Sequence, residues 1–157
     1  MFYDDGKIKV RRSVKSDADY LAPRLRKSDV EEIWKSNHKA PFEALKEGIE
    51  KSIFCCTVEN GQPICIFGIY TDKLLGENAT VWCLASDDLE KIGRKFVKYS
   101  REFIDMMLQY YPMLFNYVDA DNEKSIKWLQ MCGADMKEPA PYGVENKNFR
   151  YFSFKRR

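Results

Sequence analysis

The side chains able to do chemistry gather at two points, Ser86 and Asp119, each just past or at the end of an apolar run. Three acids, Asp87, Asp88 and Glu90, follow Ser86, and then a basic set of Lys91, Arg94, Lys95, Lys98 and Arg101. A helix start offers free amide donors and the positive end of the dipole, which together attract anions. Here carboxylates occupy that place, each stabilising the helix by roughly 0.3–1 kcal/mol. Two readings of this tip stay open. It is a self-capped helix with a solvated basic face, or the face of Lys91, Lys95 and Lys98 takes a phosphate from a nucleotide cofactor or a nucleic acid. After Asp119 come Asn122 and Ser125, an N-cap residue and a small hydroxyl three positions on. His38 is the only histidine. A catalytic base needs an oriented nucleophile, nothing marks one, and His38 reads as a surface-loop residue. One histidine and scattered cysteines give no metal site. No catalytic residue is assigned.

The elements that must position these residues follow from periodicity. Residues 79–85 and 114–118 are strand-like, and between them Leu89, Ile92, Phe96, Tyr99, Phe103, Met107 and Tyr110 recur at steps of three and four. Two strands joined by so long a helix form a parallel βαβ unit, with the ligand place at the strands' carboxyl ends. Residues 122–133 read as a helix opened by Asn122 and closed by Gly133. Residues 8–12 read as an edge strand. Capping boxes at Ser16–Asp19 and Ser28–Glu31 open two helices, Pro23 interrupts the first, and Pro41 starts a third with Phe42, Leu45 and Ile49 on one face. Asn60-Gly61 joins residues 53–59 and 62–71 in a hairpin with both turn residues at positive φ. Residues 73–78 connect to the strand at Ala79. A short strand near 134–137, a Pro/Gly loop over 138–146 and an aromatic strand at 149–155 complete the order. Tyr142-Gly143 sit in a loop able to cover the acceptor side of a site. Trp34, Trp82 and Trp128 fall at core-like positions. The fold class is α/β (α+β), with a mixed central sheet flanked by helices in one domain spanning 1–157.

Composition narrows the partners. The 157 residues carry 26 basic and 24 acidic side chains, a net charge of +2, which does not favour nucleic acid. Five cysteines without a Cys-x-x-Cys pair read as reduced small hydrophobes. The longest apolar run, Ile64 to Tyr70, is too short for a membrane span, and the start lacks a signal-peptide layout. A soluble, cytoplasmic protein is expected.

Residues 122–134 resemble the last signature motif of the GNAT superfamily of N-acetyltransferases, with Asn122 opening the helix, Ser125, the pair Trp128-Leu129, then Gly133. The element order resembles that fold over nearly the whole chain. The resemblance implies acetyl-CoA between the strands ending near Ser86 and Asp119. Its pantetheine would pair with the backbone of Leu84, Ala85 and Ser86, and its pyrophosphate would lie at Gly93, Arg94 and Lys95, with Asn122 and Ser125 beside the arm. An amine would be the acceptor. The family's phosphate loop matches here at Gly93 alone of three positions, and Leu129 stands where the acid tyrosine is usual. Residues 21–29, 85–89 and 115–122 resemble a GNAT-like family encoded by tailed bacteriophages, which includes a small internal virion protein. That resemblance implies phage or prophage origin, a place in the host cytoplasm or the virion, and phage structural proteins as partners. The expected function is an acyl-CoA-dependent N-acetyltransferase, or a CoA-binding descendant with an eroded site. The alternative is a non-enzymatic internal virion or assembly protein on the same scaffold.

Overall fold

The computed structural model describes residues 3–71 and 78–156. Strands β1 (Tyr3–Asp4), β2 (Lys9–Arg12), β3 (Phe54–Glu59), β4 (Pro63–Tyr70) and β5 (Asn78–Ala85) neighbour one another in that order, all antiparallel. Next to β5, and parallel to it, runs β6 (Met113–Asp119), and β9 (Lys147–Lys155) pairs antiparallel with β6. The short β7 (Asp135–Met136) and β8 (Ala140–Tyr142) both pair with β9. The sheet is therefore mixed, with its one parallel ladder among the described strands inside the predicted βαβ unit.

Alternation along the strands gives the sheet two apolar faces. On one, Ile66 meets Leu21 of α1 (Lys15–Leu21), Ile33 of α2 (Lys27–Asn37) and Leu45 of α3 (Pro41–Lys51). On the other, Ile69, Leu114, Val118, Phe152 and Phe154 meet α4 (Gly93–Leu108) and α5 (Glu123–Met131). Helices thus flank a mixed central sheet, as expected.

Local differences have local causes. Residues 8–12 are not the edge, because Asp5 accepts the Lys7 and Ile8 amides and turns the two-residue β1 back onto β2. The first helix is capped two residues early, by the Asp17 carboxylate accepting the Val14 amide (2.9 Å). Ser28 caps nothing, since α2 starts at Lys27 and Asp29 points elsewhere. Only Gly61 of the Asn60-Gly61 turn has positive φ (78°), and a bulge at Val58/Glu59 absorbs the misfit. Residues 87–92 wind as a 3-10 segment before α4, and Ser86 caps it by accepting the Asp88 amide, so Asp87 and Glu90 do not act as a capping pair. Tyr110 (75% exposed), Trp34 (52%) and Phe42 (45%) leave the core. Tyr110 lies past the end of α4, while Trp34 stacks on His38 instead of on the sheet. His38 closes α2 in the left-handed region and bonds Glu145. The 138–146 loop contains β8. Of the predicted connector 73–78, only Asn78 lies within the described residues.

Candidate functional site

Three parallel pairs hold β5 to β6: Asn78↔Met113, Ala79↔Leu114 and Thr80↔Phe115. Past Thr80 the strands part, and Asn116 spans the start of the gap by donating from Nδ2 to the Val81 carbonyl (2.7 Å). A cavity of about 330 Å³ opens there, with Phe67, Phe103 and Trp128 on the α4–α5 side and Trp82, Tyr117 and Tyr142 on the other. Tyr142 lies flat on Tyr117 with ring centroids 3.8 Å apart. Its β8 loop is held to the end of α2 by the Val144 amide donating to the Ser36 carbonyl (3.1 Å).

The register decides which backbone groups of β5 face the gap. The Ser86 amide donates to the Ile64 carbonyl of β4 (2.9 Å), so the alternate residue Ala85 turns its N–H and C=O away from β4, into the gap. Both groups are already bonded within the chain. The Ala85 amide donates to Asp29 Oδ2 (2.8 Å), and the Ala85 carbonyl accepts the Arg26 amide (2.8 Å). Leu25 and Ser86 form an antiparallel bridge beside them. The stretch entering α2 therefore behaves as a short strand laid on the free edge of β5.

From there α2 crosses to β6. Asp29, Glu32 and Lys35 recur every three residues and share a face. Glu32 Oε1 accepts from the Asp119 amide (2.8 Å) and from Asn122 Nδ2 (3.3 Å). Lys35 Nζ donates to Asp119 Oδ2 (2.7 Å). Arg26 grips Asp29 through Nε and Nη2 at 2.9–3.2 Å. Burial pushes the Asp29 carboxyl upward, and Arg26 pulls against it. With a guanidinium and an amide donating to it, the ionised form is the one this geometry holds. Among the described residues no cation pairs with Glu32. Burial raises its carboxyl to about 7, and the nearby Asp29 and Asp119 add to the rise.

Most charges of the tip beyond Ser86 are paired. Lys91 pairs with Asp88 (2.9 Å), Lys124 of α5 with Glu90 (2.9 Å), and Lys95 with Asp5 (3.5 Å). The cleft beneath the tip sets Arg26, Lys27 and Lys124 against Glu31, Asp87 and Glu90. On α5, Asn122 caps the helix by accepting the Ser125 amide (3.2 Å). Leu129 is buried, and Trp128 stacks on Phe96 while its Nε1 has no protein partner.

The residues expected at the site divide accordingly. Leu84 and Ser125 line the cavity, Ala85 faces it with its backbone engaged, and Ser86 caps the tip. Asn122 borders the cleft. Gly93, Arg94 and Lys95 line neither space, and a Cβ on Gly93 would meet nothing within 4 Å. Asp29, Glu32 and Lys35 carry no local mark in the sequence beyond their three-residue spacing.

Two kinds of likeness bear on this geometry. Residues 69–139 match the family model described as "Bacteriophage T7, probable scaffold protein Gp13". The protein named "Probable scaffold protein gp13" of Escherichia phage T7 is 32% identical over 124 residues, covering 73% of this chain and 85% of that protein. The chain belongs to the phage T7 Gp13 family. Its fold is that of the GNAT acetyltransferases. A spermidine N-acetyltransferase from Vibrio cholerae, solved with CoA and spermine, superposes with a TM-score of 0.67 at 14% identity, over 97% of each chain. A ribosomal-protein-S5-alanine acetyltransferase from Vibrio fischeri gives 0.69 at 16%, over 98% of this chain and 95% of the other. A GNAT-family acetyltransferase from Bacillus anthracis gives 0.67 at 12%, over 99% and 98%. Identities this low speak for the fold alone. Among the described residues no helix is long and apolar enough to cross a membrane.

Proposed function

We propose that this Gp13-family protein is a non-enzymatic phage assembly or virion component that uses a single GNAT-like domain, residues 1–157, as a rigid block. One observation carries the reading: the chain's own Arg26 and Asp29 take the Ala85 carbonyl and amide that an extended ligand arm would need. The coenzyme fits poorly at three further points. Asn122 is engaged with Glu32, the cleft at the tip balances three cations with three acids, and Leu129 has no proton to give. Moving α2 aside would part Asp29 from the Ala85 amide and Lys35 from Asp119. The family likeness supports phage structural proteins as the partners.

Calorimetric titration of the folded protein with acetyl-CoA tests this reading. The expected result is a flat trace, together with the protein's presence in purified particles of its phage by mass spectrometry. Micromolar binding would overturn it.

A second reading keeps acyl-CoA-dependent N-acetyl transfer to an amine, with Leu84, Ala85, Ser86, Gly93, Arg94, Lys95, Asn122 and Ser125 as coenzyme contacts. It is favoured by the cavity past Thr80 and by Glu32, a cavity-lining carboxyl tuned to about 7, the range suited to a general base. Acetyl transfer abolished by Glu32→Gln would promote it. Nucleic acid is a weaker partner for the Lys91–Lys95–Lys98 face, since two of those three lysines are already ion-paired.

A further inference from the structure

We propose that Asp29, Glu32 and Asp119 form a proton-operated latch that fastens α2 across the gap between β5 and β6, closed while Glu32 carries a proton and loosened when it is lost. The proposal does not depend on whether the gap ever holds a ligand.

A charge count gives the argument. Three carboxyl groups meet where α2 crosses the two strands, and among the described residues two cations answer them. Arg26 is committed to Asp29, with three contacts of 2.9–3.2 Å. Lys35 is committed to Asp119 at 2.7 Å. Glu32 is left with two neutral donors, the Asp119 amide and the Asn122 side-chain amide. Both donors bond Oε1, which stays an acceptor when Oε2 carries the proton, so both bonds survive protonation although they favour the ionised form and work against burial. A second negative charge beside Asp29, on a half-buried carboxyl, is what the arrangement resists.

The charged groups on every element around Glu32 agree. On its own helix and the residue entering it are Arg26, Lys27, Asp29, Glu31 and Lys35, with Lys27 paired to Glu31 at 3.8 Å on the exposed side. Asp119 ends β6, and Asp121 in the following turn faces Lys35. Asp87 at the start of the 3-10 segment acts on Asp29. Neither β6 nor the tip sends Glu32 a cation. Its carboxyl accordingly lies at about 7 against an ordinary 4.5. When α2 lifts, Glu32 regains water and ionises readily, so rising pH favours the lifted state. The amides of Ala85 and Asp119 report the event directly, because each is protected by a carboxylate of α2.

Hydrogen exchange of the full chain, corrected for the intrinsic effect of pH, tests the latch. With Glu32 at about 7 in the closed form and 4.5 in the lifted form, opening at Ala85 and Asp119 is about tenfold greater at pH 8.5 than at pH 6. Amides in the centre of β3 and β4 do not share that change. Glu32→Gln keeps the acceptor oxygen and abolishes the pH dependence. Lys35→Met removes the cation paired with Asp119 and moves the midpoint of the wild-type change to higher pH. Equal protection of Ala85 and Asp119 at both pH values in the wild type would overturn the proposal whatever the variants do. So would an unchanged pH response in folded Glu32→Gln.

Discussion

The starts of α4 and α5 occupy matching positions, each following a strand of the same splayed pair, yet they are built by opposite means. At α5 a single neutral side chain does the capping: Asn122 accepts the Ser125 amide and also reaches Glu32. At α4 the chain inserts a 3-10 segment bearing Asp87, Asp88 and Glu90, neutralised in part by Lys91 and Lys124. One start is tied into the gap through α2, and the other faces water with its acids neutralised in part, by Lys91 beside them and by Lys124 of α5. Stability therefore lies on the α2 side of the gap, while the exposed tip only sets the local field.

That contrast breaks most visibly at Asp29. Asp29→Ala leaves Arg26 without its buried carboxylate and the Ala85 amide without an acceptor. The expected loss is about 3 kcal/mol, read from urea unfolding midpoints. A loss below about 1 kcal/mol would mean that α2 does not strap β5 in solution.

Glu32 gives the next effect, and it has a sign. Its carboxyl is raised in the folded protein, so the stability it lends is complete below the ordinary carboxylate range and is lost as pH rises through about 7. Between pH 5 and 8 the wild type should lose roughly 1–2 kcal/mol, a figure reduced for partial exposure. Glu32→Gln flattens that slope and is the more stable protein at pH 8. A wild-type curve rising over this range would place the proton elsewhere.

Asn122→Ala sharpens the comparison from the α5 side. Removing the cap costs about 1 kcal/mol, and the same substitution takes away one of the two donors to Glu32. If Asn122→Ala and Glu32→Gln add without coupling, the link between α5 and α2 is not energetic.

The same contrast explains what was legible in the sequence. Asn122 and Gly133 were readable because a cap and a C′ residue are local features, settled within a turn of the helix. The helix between the two parallel strands was readable from its stripe, although Tyr110 overran it. The short strand expected near 134–137 is β7, but β8 could not be seen, because three residues cannot display alternation. The α2 strap was hidden for a different reason. Asp29 bonds an amide 56 positions away and Glu32 one 87 positions away. A charged residue every third position on a helix looks the same whether it faces solvent or another strand. Ser28–Glu31 even supplied a plausible local role for that stretch, as a capping box, which the long-range bonds of Asp29 displaced.

The tip of α4 gives the smallest expected change. Glu90 and Lys124 are exposed, so Glu90→Gln should leave the unfolding midpoint where it is. Combining Asp87→Asn with Glu90→Gln removes two negative charges from the place where a diphosphate would lie. If repulsion at the tip were the barrier to acetyl-CoA, this variant would bind it and the wild type would not. If the strap on Ala85 is the barrier, the titration stays flat, because the strand edge remains occupied by Arg26 and Asp29 however the tip is charged. Binding gained by the double variant would invert the ranking of the two regions, making the exposed acids the feature that separates this chain from a coenzyme-binding GNAT protein. A flat trace, with the unfolding midpoint unmoved, locates that feature at the two hydrogen bonds on Ala85.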